Sequence, residues 1–413
     1  MSHIQSRFHV PAIFLYAAGA LLLVVGVSLR MAWYPVVTSD YTYFVSVWFA
    51  TLASHAGLSA FAQPFSDYAP LYLYMLKLLT FIPVDSLTLS KTLSLIFDIM
   101  IAAVAVALAR DRSRREYRSS ELFMVFVLFL SIPTVMLNSS LWGQSDALYG
   151  APILLCLYYI LGNRPLPAAL AFGLAISVKV QAIFFLPVVL GYLWGNRKTR
   201  IYLLLVPAVF VISVIPAMLA GGDPWYWPLI YLKQSGEYPY LSVSAPSVFA
   251  FVNGLPMSSI VQSLLFWLGI SLACIWAVIV ASLSRHIRQL HPMATVLLSL
   301  SSVLIIPYVL PRMHERYFFL ADILACALVV FAPRRWYIAV IVVGASLLSY
   351  MPYLSSQVPI LSAFNVDLRT PASMLLIAIS IVLIGLRIAL SPQPVPTRRG
   401  DVRDDSIIIR HSN

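Results

Sequence analysis

The chain has 413 residues, of which 61% are hydrophobic and only 10% charged, and its mean hydropathy is +0.88. That balance excludes a water-soluble globular fold, and recurring apolar stretches of roughly 17–25 residues exclude a disordered one. The net charge of +11 does not call for nucleic acid, because the basic residues gather in short clusters between apolar runs, as the positive-inside rule describes.

In chain order, the first apolar run, 11–29, ends in Arg-Met-Ala-Trp-Tyr rather than at a small-residue cleavage site, and reads as a retained helix. A long, rather apolar connection follows, 31–86, holding TSDYTYF (38–44) and PFSDYAPLYLY (64–74). If Tyr68–Pro83 crossed the membrane, every later loop would change sides and RDRSRREYR (110–118) would face outward. It therefore reads as a helix lying at the outer interface, with the next span at 87–109. Taking RDRSRREYR, GNR (162–164), GNRKTR (195–200), SRHIRQLH (284–291), APRR (332–335) and the tail as cytoplasmic puts about 19 of the 27 Lys and Arg inside. The expectation is an all-α polytopic membrane protein of about 12 transmembrane helices (range 10–13), with both termini in the cytoplasm. Two of these helices, 165–178 and 180–194, are too short for a full crossing unless they meet inside the bundle. One membrane domain covers 1–390, with 31–86 as its first outer loop, and the polar 391–413 reads as a disordered cytoplasmic tail. Cys156, Cys274 and Cys326 all fall in apolar runs and read as small buried hydrophobes. No metal, P-loop or dinucleotide motif is present, so no cofactor is expected.

The outer connections carry eight of the 16 acidic residues and much of the aromatic content. Asp40, just after the first helix, suits a helix N-cap or, placed against an acceptor hydroxyl, a general base. Asp67, ahead of Tyr68-Ala69-Pro70, is again a natural cap. In NSSLWGQSD (138–146), Ser145 or Asp146 can cap the next helix and Trp142 can anchor at the interface. Alternatively, Trp142, Gln144 and Asp146 contact a sugar while Gly143 permits close approach. PRMHERY (311–317) sets Arg312, His314, Glu315 and Arg316 within five residues, either as headgroup anchors or as a clamp for a lipid phosphate. Lys179 is an intramembrane charge, paired structurally with Asp98 or Asp322 or else engaged with a ligand. GGDPWYWP (221–228) suits a lid, with Asp223 and Trp225 as weaker candidates.

SDYTYF and SDYAPLYLY resemble the first outer loop of the multispanning C-type glycosyltransferases that use polyprenyl-phosphate sugars. They are particularly similar to the dolichyl-phosphate-glucose glucosyltransferases, with their G-D-Y and D-Y-P-P-L motifs. Trp142-Gly143-Gln144-Ser145-Asp146 and His314-Glu315-Arg316 are similar to motifs of bacterial mannosyltransferases related to the second mannosyltransferase of GPI-anchor synthesis. The resemblance spans about 40–320 with gaps. It departs at Ser39, where the glucosyltransferases have Gly, and at Ala69, where they have Pro. It implies an inverting, metal-independent hexose transfer, mannose ahead of glucose, from a polyprenyl phosphate to a lipid-linked or cell-envelope glycan. The enzyme would lie in a bacterial inner membrane with its site facing the periplasm or exterior, with membrane lipids and no nucleic acid among its partners. Asp40 would be the base, with Asp67 and Tyr68 near the acceptor. Two rival classes are a lipid-linked-sugar flippase, expected to show internal repeats and deep charges, and an O-antigen polymerase or ligase, expected to concentrate arginines in large outer loops.

Overall fold

The computed structural model describes residues 10–234 and 240–391. Glu237 and the tail beyond Ser391 lie outside the described residues. Among those described, the chain is almost wholly helical, and strand is confined to β1 (Ser242–Val243) and β2 (Met313–His314), which pair in parallel.

The first helix, α1 (Ala12–Trp33), buries only Gly19, Gly26 and Arg30. An apolar surface left outward in this way belongs to a helix that faces lipid. Two short helices follow, α2 (Ser46–Ser54) and α3 (Pro70–Leu79). Pro70 occupies the first turn of α3, where its missing N–H costs no hydrogen bond. Lys77 on α3 donates to the carbonyls of Leu52 and His55, both at 2.7 Å, and so ties α3 to the end of α2. Phe61 is buried against Trp227, whose Nε1 donates to the Phe61 carbonyl at 3.1 Å. The 31–86 connection is thereby packed onto the bundle.

Next come α4 (Ser86–Arg112), α5 (Ser119–Leu130) and α6 (Pro133–Met136), the last running on as a π-helical turn, Leu137–Trp142. The α5–α6 pair is bent by 51°, and Pro133 explains the break because it donates no helical hydrogen bond and crowds the preceding turn. The rest of the bundle is α7 (Asp146–Leu161), α8 (Pro165–Val178), α9 (Leu186–Trp194), α10 (Leu205–Leu219), α11 (Ile230–Gln234), α12 (Ser259–Ser284), α13 (Pro292–Val309), α14 (Phe319–Phe331), α15 (Trp336–Gln357) and α16 (Arg369–Leu390). Of these, α7, α13 and α14 are buried on nearly every side and form the centre.

Seven described helices are long and apolar enough to cross a membrane, or eight if the bent pair is one span. The chain is therefore an all-α polytopic membrane protein. The remainder of the expected twelve would have to come from shorter helices such as 146–161, 165–178 and 180–194, which fall below that length. Connections collect at two ends. One end gathers 34–41, 138–146, Lys179 and 310–318. The other is tied together by Arg112 to the Tyr158 carbonyl (3.2 Å), Tyr117 to the Val330 carbonyl (2.7 Å) and Arg288 to Asn163 (2.7 Å). This second end carries most of the described arginines.

Candidate active site

A polar stripe on α4 organises the first end. Lys91, Ser94 and Asp98 are spaced by three and four residues and so share one helix face. Lys91 is fully buried, and its ammonium donates to the carbonyls of Trp33 (3.0 Å), Tyr34 (3.1 Å) and Val36 (2.7 Å). Those three donations fix the chain that leads from α1 to Asp40. Ser94 donates to the Gln144 carbonyl at 2.8 Å. Asp98 accepts from Arg30 at 2.8 Å and from Ser139 at 2.6 Å, while Arg30 also reaches Ser139, Ser140 and the Leu130 carbonyl. One helix face thus holds both the Asp40 segment and the turn that delivers Trp142 and Gln144.

Both of those segments are π-helical, Tyr41–Val45 and Leu137–Trp142. Such widened turns recur at functional sites because they redirect side chains out of the regular helical rows. Gly143 ends the second at φ 79°, a left-handed conformation that glycine adopts without steric cost. Thr38 closes the two segments on each other by donating to the Trp142 carbonyl at 2.9 Å.

Asp40 lies at their junction. Its Oδ2 accepts from Trp142 Nε1 (3.0 Å), Gln144 Nε2 (2.6 Å) and Arg316 Nη1 (3.1 Å). Among the described residues Oδ1 has no protein donor, and the side chain keeps 22% of its surface exposed. The Trp142 indole stacks on Tyr353 with centroids 4.3 Å apart, and Tyr353 in turn bonds Ser39 and the Asp40 amide. The carboxylate is therefore locked in orientation, with one oxygen held and the other open.

A second ion pair stands beside the first. Asp146 begins α7 and takes a hydrogen bond from Asn138 at 2.7 Å and an ion pair from Lys179. Lys179 occupies the extended junction between α8 and the turn that leads to α9, and its ammonium lies 5.3 Å from the Tyr68 ring centre. Arg316 also approaches Glu315 at 3.7 Å, and its guanidinium faces the Trp142 ring at 5.6 Å. The charges of Arg316 and Asp146 both act on Tyr68, which places the two pairs around one phenol. Burial pushes the Glu315 carboxyl up from its ordinary 4.5 to about 7, against the pull of Arg316. Burial, with help from Arg316 and Lys179, holds His314 down at about 3, so its imidazole stays neutral. Three carboxyl groups and two cations thus share a site in which each cation already holds a carboxylate.

The structure brings together Asp40, Tyr68, Trp142, Gln144, Asp146, Lys179, Glu315 and Arg316. His314 sits alongside, 4.0 Å from Glu315 and with its ring 5.3 Å from that of Tyr317. Arg312 takes φ 63° and lies over the Phe266 ring of α12 at 4.8 Å. Asp67 lies near both Tyr68 and Tyr226 of the 221–228 loop, and its charge acts on both phenols. The capping readings are corrected. Neither Asp40 nor Ser145 makes a side-chain cap, and the cap position of α3 belongs to Ala69, not Asp67. Asp40 was drawn instead to donors distant in sequence. Lys179 pairs with Asp146 rather than with Asp98 or Asp322, because Arg30 already holds Asp98 and Ser346 donates to Asp322. Asp223 binds the amides of Trp225 and Tyr226 within its own loop, and Trp225 is exposed. The motifs do not single out Arg30, Lys91 or Ser94, although the polar spacing in SKTLSLIFD (90–98) is a usable signal for Lys91 and Ser94.

The family model of glycosyltransferase family 87 matches residues 65–311. That stretch contains Tyr68, Trp142, Gln144, Asp146 and Lys179 and ends on Pro311, the first residue of PRMHERY, so it leaves out Arg312–Arg316, while Asp40 precedes it. Among curated proteins none matches the chain.

Proposed function

Because the chain belongs to glycosyltransferase family 87, we propose that it moves a hexose from a polyprenyl monophosphate to a lipid-linked or cell-envelope glycan, with Asp40 as general base. The observation that supports this reading is the division of labour at Asp40, whose Oδ2 is held by three donors while Oδ1 has none among the described residues, on a side chain that is 22% exposed. An acceptor hydroxyl would give its proton to Oδ1 as its oxygen attacks the anomeric carbon. The bond from that carbon to the phosphate oxygen breaks, the phosphate leaves with the electron pair, and the configuration inverts. A phosphate leaving group needs no strong acid, so one base with nearby cations is sufficient. On this reading Arg316 and Lys179, each already paired with a carboxylate, would be the cations that turn toward it. The preference for mannose over glucose rests on the likeness of the WGQSD and HER motifs alone.

We further read twelve crossings, with the Asp40 end outside a bacterial plasma membrane and the arginine-rich end in the cytoplasm. On this reading the short helices α7, α8, α9 and α14 also cross, and the shortest of them meet inside the bundle. The experiment is to offer purified protein polyprenyl-phosphate-mannose and polyprenyl-phosphate-glucose separately, with membrane lipid extract as acceptor. Consumption of one donor is expected, together with a loss of at least about 10²-fold in Asp40→Asn. Full turnover by Asp40→Asn would remove the base assignment, and indifference to both donors would remove the donor assignment.

A further inference from the structure

At the end of the bundle opposite Asp40, a cavity of about 1260 Å³ opens between α1 and α5 on one side and α14 and α15 on the other. Its walls are apolar, including Val125, Leu128, Phe129, Val329, Val340 and Val343, and it runs inward as far as Ile132 and Pro133 at the bend between α5 and α6. Its mouth is of different chemistry, with Arg115, Arg118 and Arg334 against Glu116 and Glu121. Glu121 is already engaged, accepting from the Arg115 side chain at 2.5 Å and the Arg118 amide at 2.8 Å. Arg115 is steadied over the Tyr117 ring at 4.8 Å, and Tyr117 is anchored on the Val330 carbonyl. Arg334 has no ion pair among the described residues.

We propose that this groove binds a diacyl phospholipid with an anionic headgroup, drawn from the leaflet on the arginine-rich side. The head would lie among Arg115, Arg118 and Arg334, and the chains would run along the walls toward Pro133. A soluble anion would satisfy the mouth and leave the walls bare. A zwitterionic lipid would offer the same phosphate but would bring its own cation among the arginines. Basic pockets between membrane helices characteristically hold anionic headgroups in this way, and each methylene taken up adds to the retention. A polyprenyl phosphate shares the same chemistry, but a donor head must reach Asp40 at the far end of α4. The lipid would abut the bent pair that carries Trp142, and so brace the turn on which the Asp40 site is built.

The test is thermal unfolding of the full chain in neutral detergent with phosphatidylglycerol, phosphatidylcholine, a polyprenyl phosphate or inorganic phosphate added. Phosphatidylglycerol is expected to raise the melting temperature by several degrees, and the other three by distinctly less. Arg334→Glu should cut that rise by half or more. Val340→Trp should do the same by filling the groove, and since Val340 is 58% exposed the change disturbs no core packing. Equal stabilisation by phosphatidylcholine, a larger rise with polyprenyl phosphate or inorganic phosphate, or an undiminished rise in both variants would overturn the proposal.

Discussion

At Asp40 one carboxylate oxygen accepts three hydrogen bonds and the other takes none among the described residues, and the Glu315–Arg316 pair next to it decides how firmly the first is held. Arg316 lies 3.1 Å from Asp40 and 3.7 Å from Glu315. A protonated Glu315 leaves the guanidinium to Asp40, whereas an ionised one competes for it. Burial sets the Glu315 value near 7 in the folded protein, above its ordinary 4.5. The folded state therefore holds this proton over a window in which the unfolded chain has lost it. Its contribution to stability is complete below the unfolded value and disappears as pH rises through about 7. Glu315→Gln should lose this dependence. Between pH of about 5 and 8, the melting temperature of wild type should fall more than that of the variant. Parallel curves would show that Glu315 is ionised throughout. The cap readings of Asp40 and Asp67 failed at this same scale. A local motif shows which amides are near a carboxylate in the chain, but not that Trp142, Gln144 and Arg316 arrive from elsewhere with stronger claims.

Among the elements, α4 and the bent α5–α6 pair do the most to shape the site. The Arg30–Asp98 pair is buried, with side chains 5% and 0% exposed, and it holds Ser139 and Ser140 of the π-helical turn. Removing one member leaves the other as an uncompensated buried charge, which typically costs about 3–5 kcal/mol, whereas replacing both by apolar residues costs far less. Asp98→Leu alone should therefore lower stability strongly, and Arg30→Met with Asp98→Leu should recover most of it, as read by denaturant or thermal unfolding in detergent. A double variant as unstable as the single one would show that the hydrogen bonds to Ser139 and Ser140, rather than the ion pair, hold the turn. The π-helical register itself was not visible in LNSSLW (137–142). It depends on Pro133 before it, Gly143 after it and the α4 stripe beneath it, and no one of these dictates it alone.

The whole molecule sorts its charges by end. Arginines crowd the end made by 110–118, 195–200, 285–291 and 332–335, while the acids and aromatics of the site occupy the other. The length criterion alone admits seven or eight spans, so the twelve-crossing reading needs a direct test. In a Cys274→Ser background, Ser59→Cys, Asn253→Cys and Asn365→Cys should react with a membrane-impermeant thiol reagent on intact cells. Lys198→Cys and Gln289→Cys should react only after lysis. Labelling of Lys198→Cys from outside would mean that α7, α8 and α9 do not make the three crossings assigned to them.

Composition and the spacing of apolar runs were enough to determine a helical membrane protein, because lipid leaves a backbone with no partner but its own helix. The basic clusters set the expectation of alternating sides, and the quoted motifs supplied most of the residues that meet around Asp40. What only the tertiary structure decided was pairing. Lys179 chose Asp146, Arg316 chose Asp40, Arg30 chose Asp98, and both Ser-Asp-Tyr aspartates went uncapped. The reason is physical. In a low-dielectric bundle each buried charge must find a counter-charge or a set of hydrogen bonds, and which partner is within reach depends on how helices far apart in sequence are brought side by side.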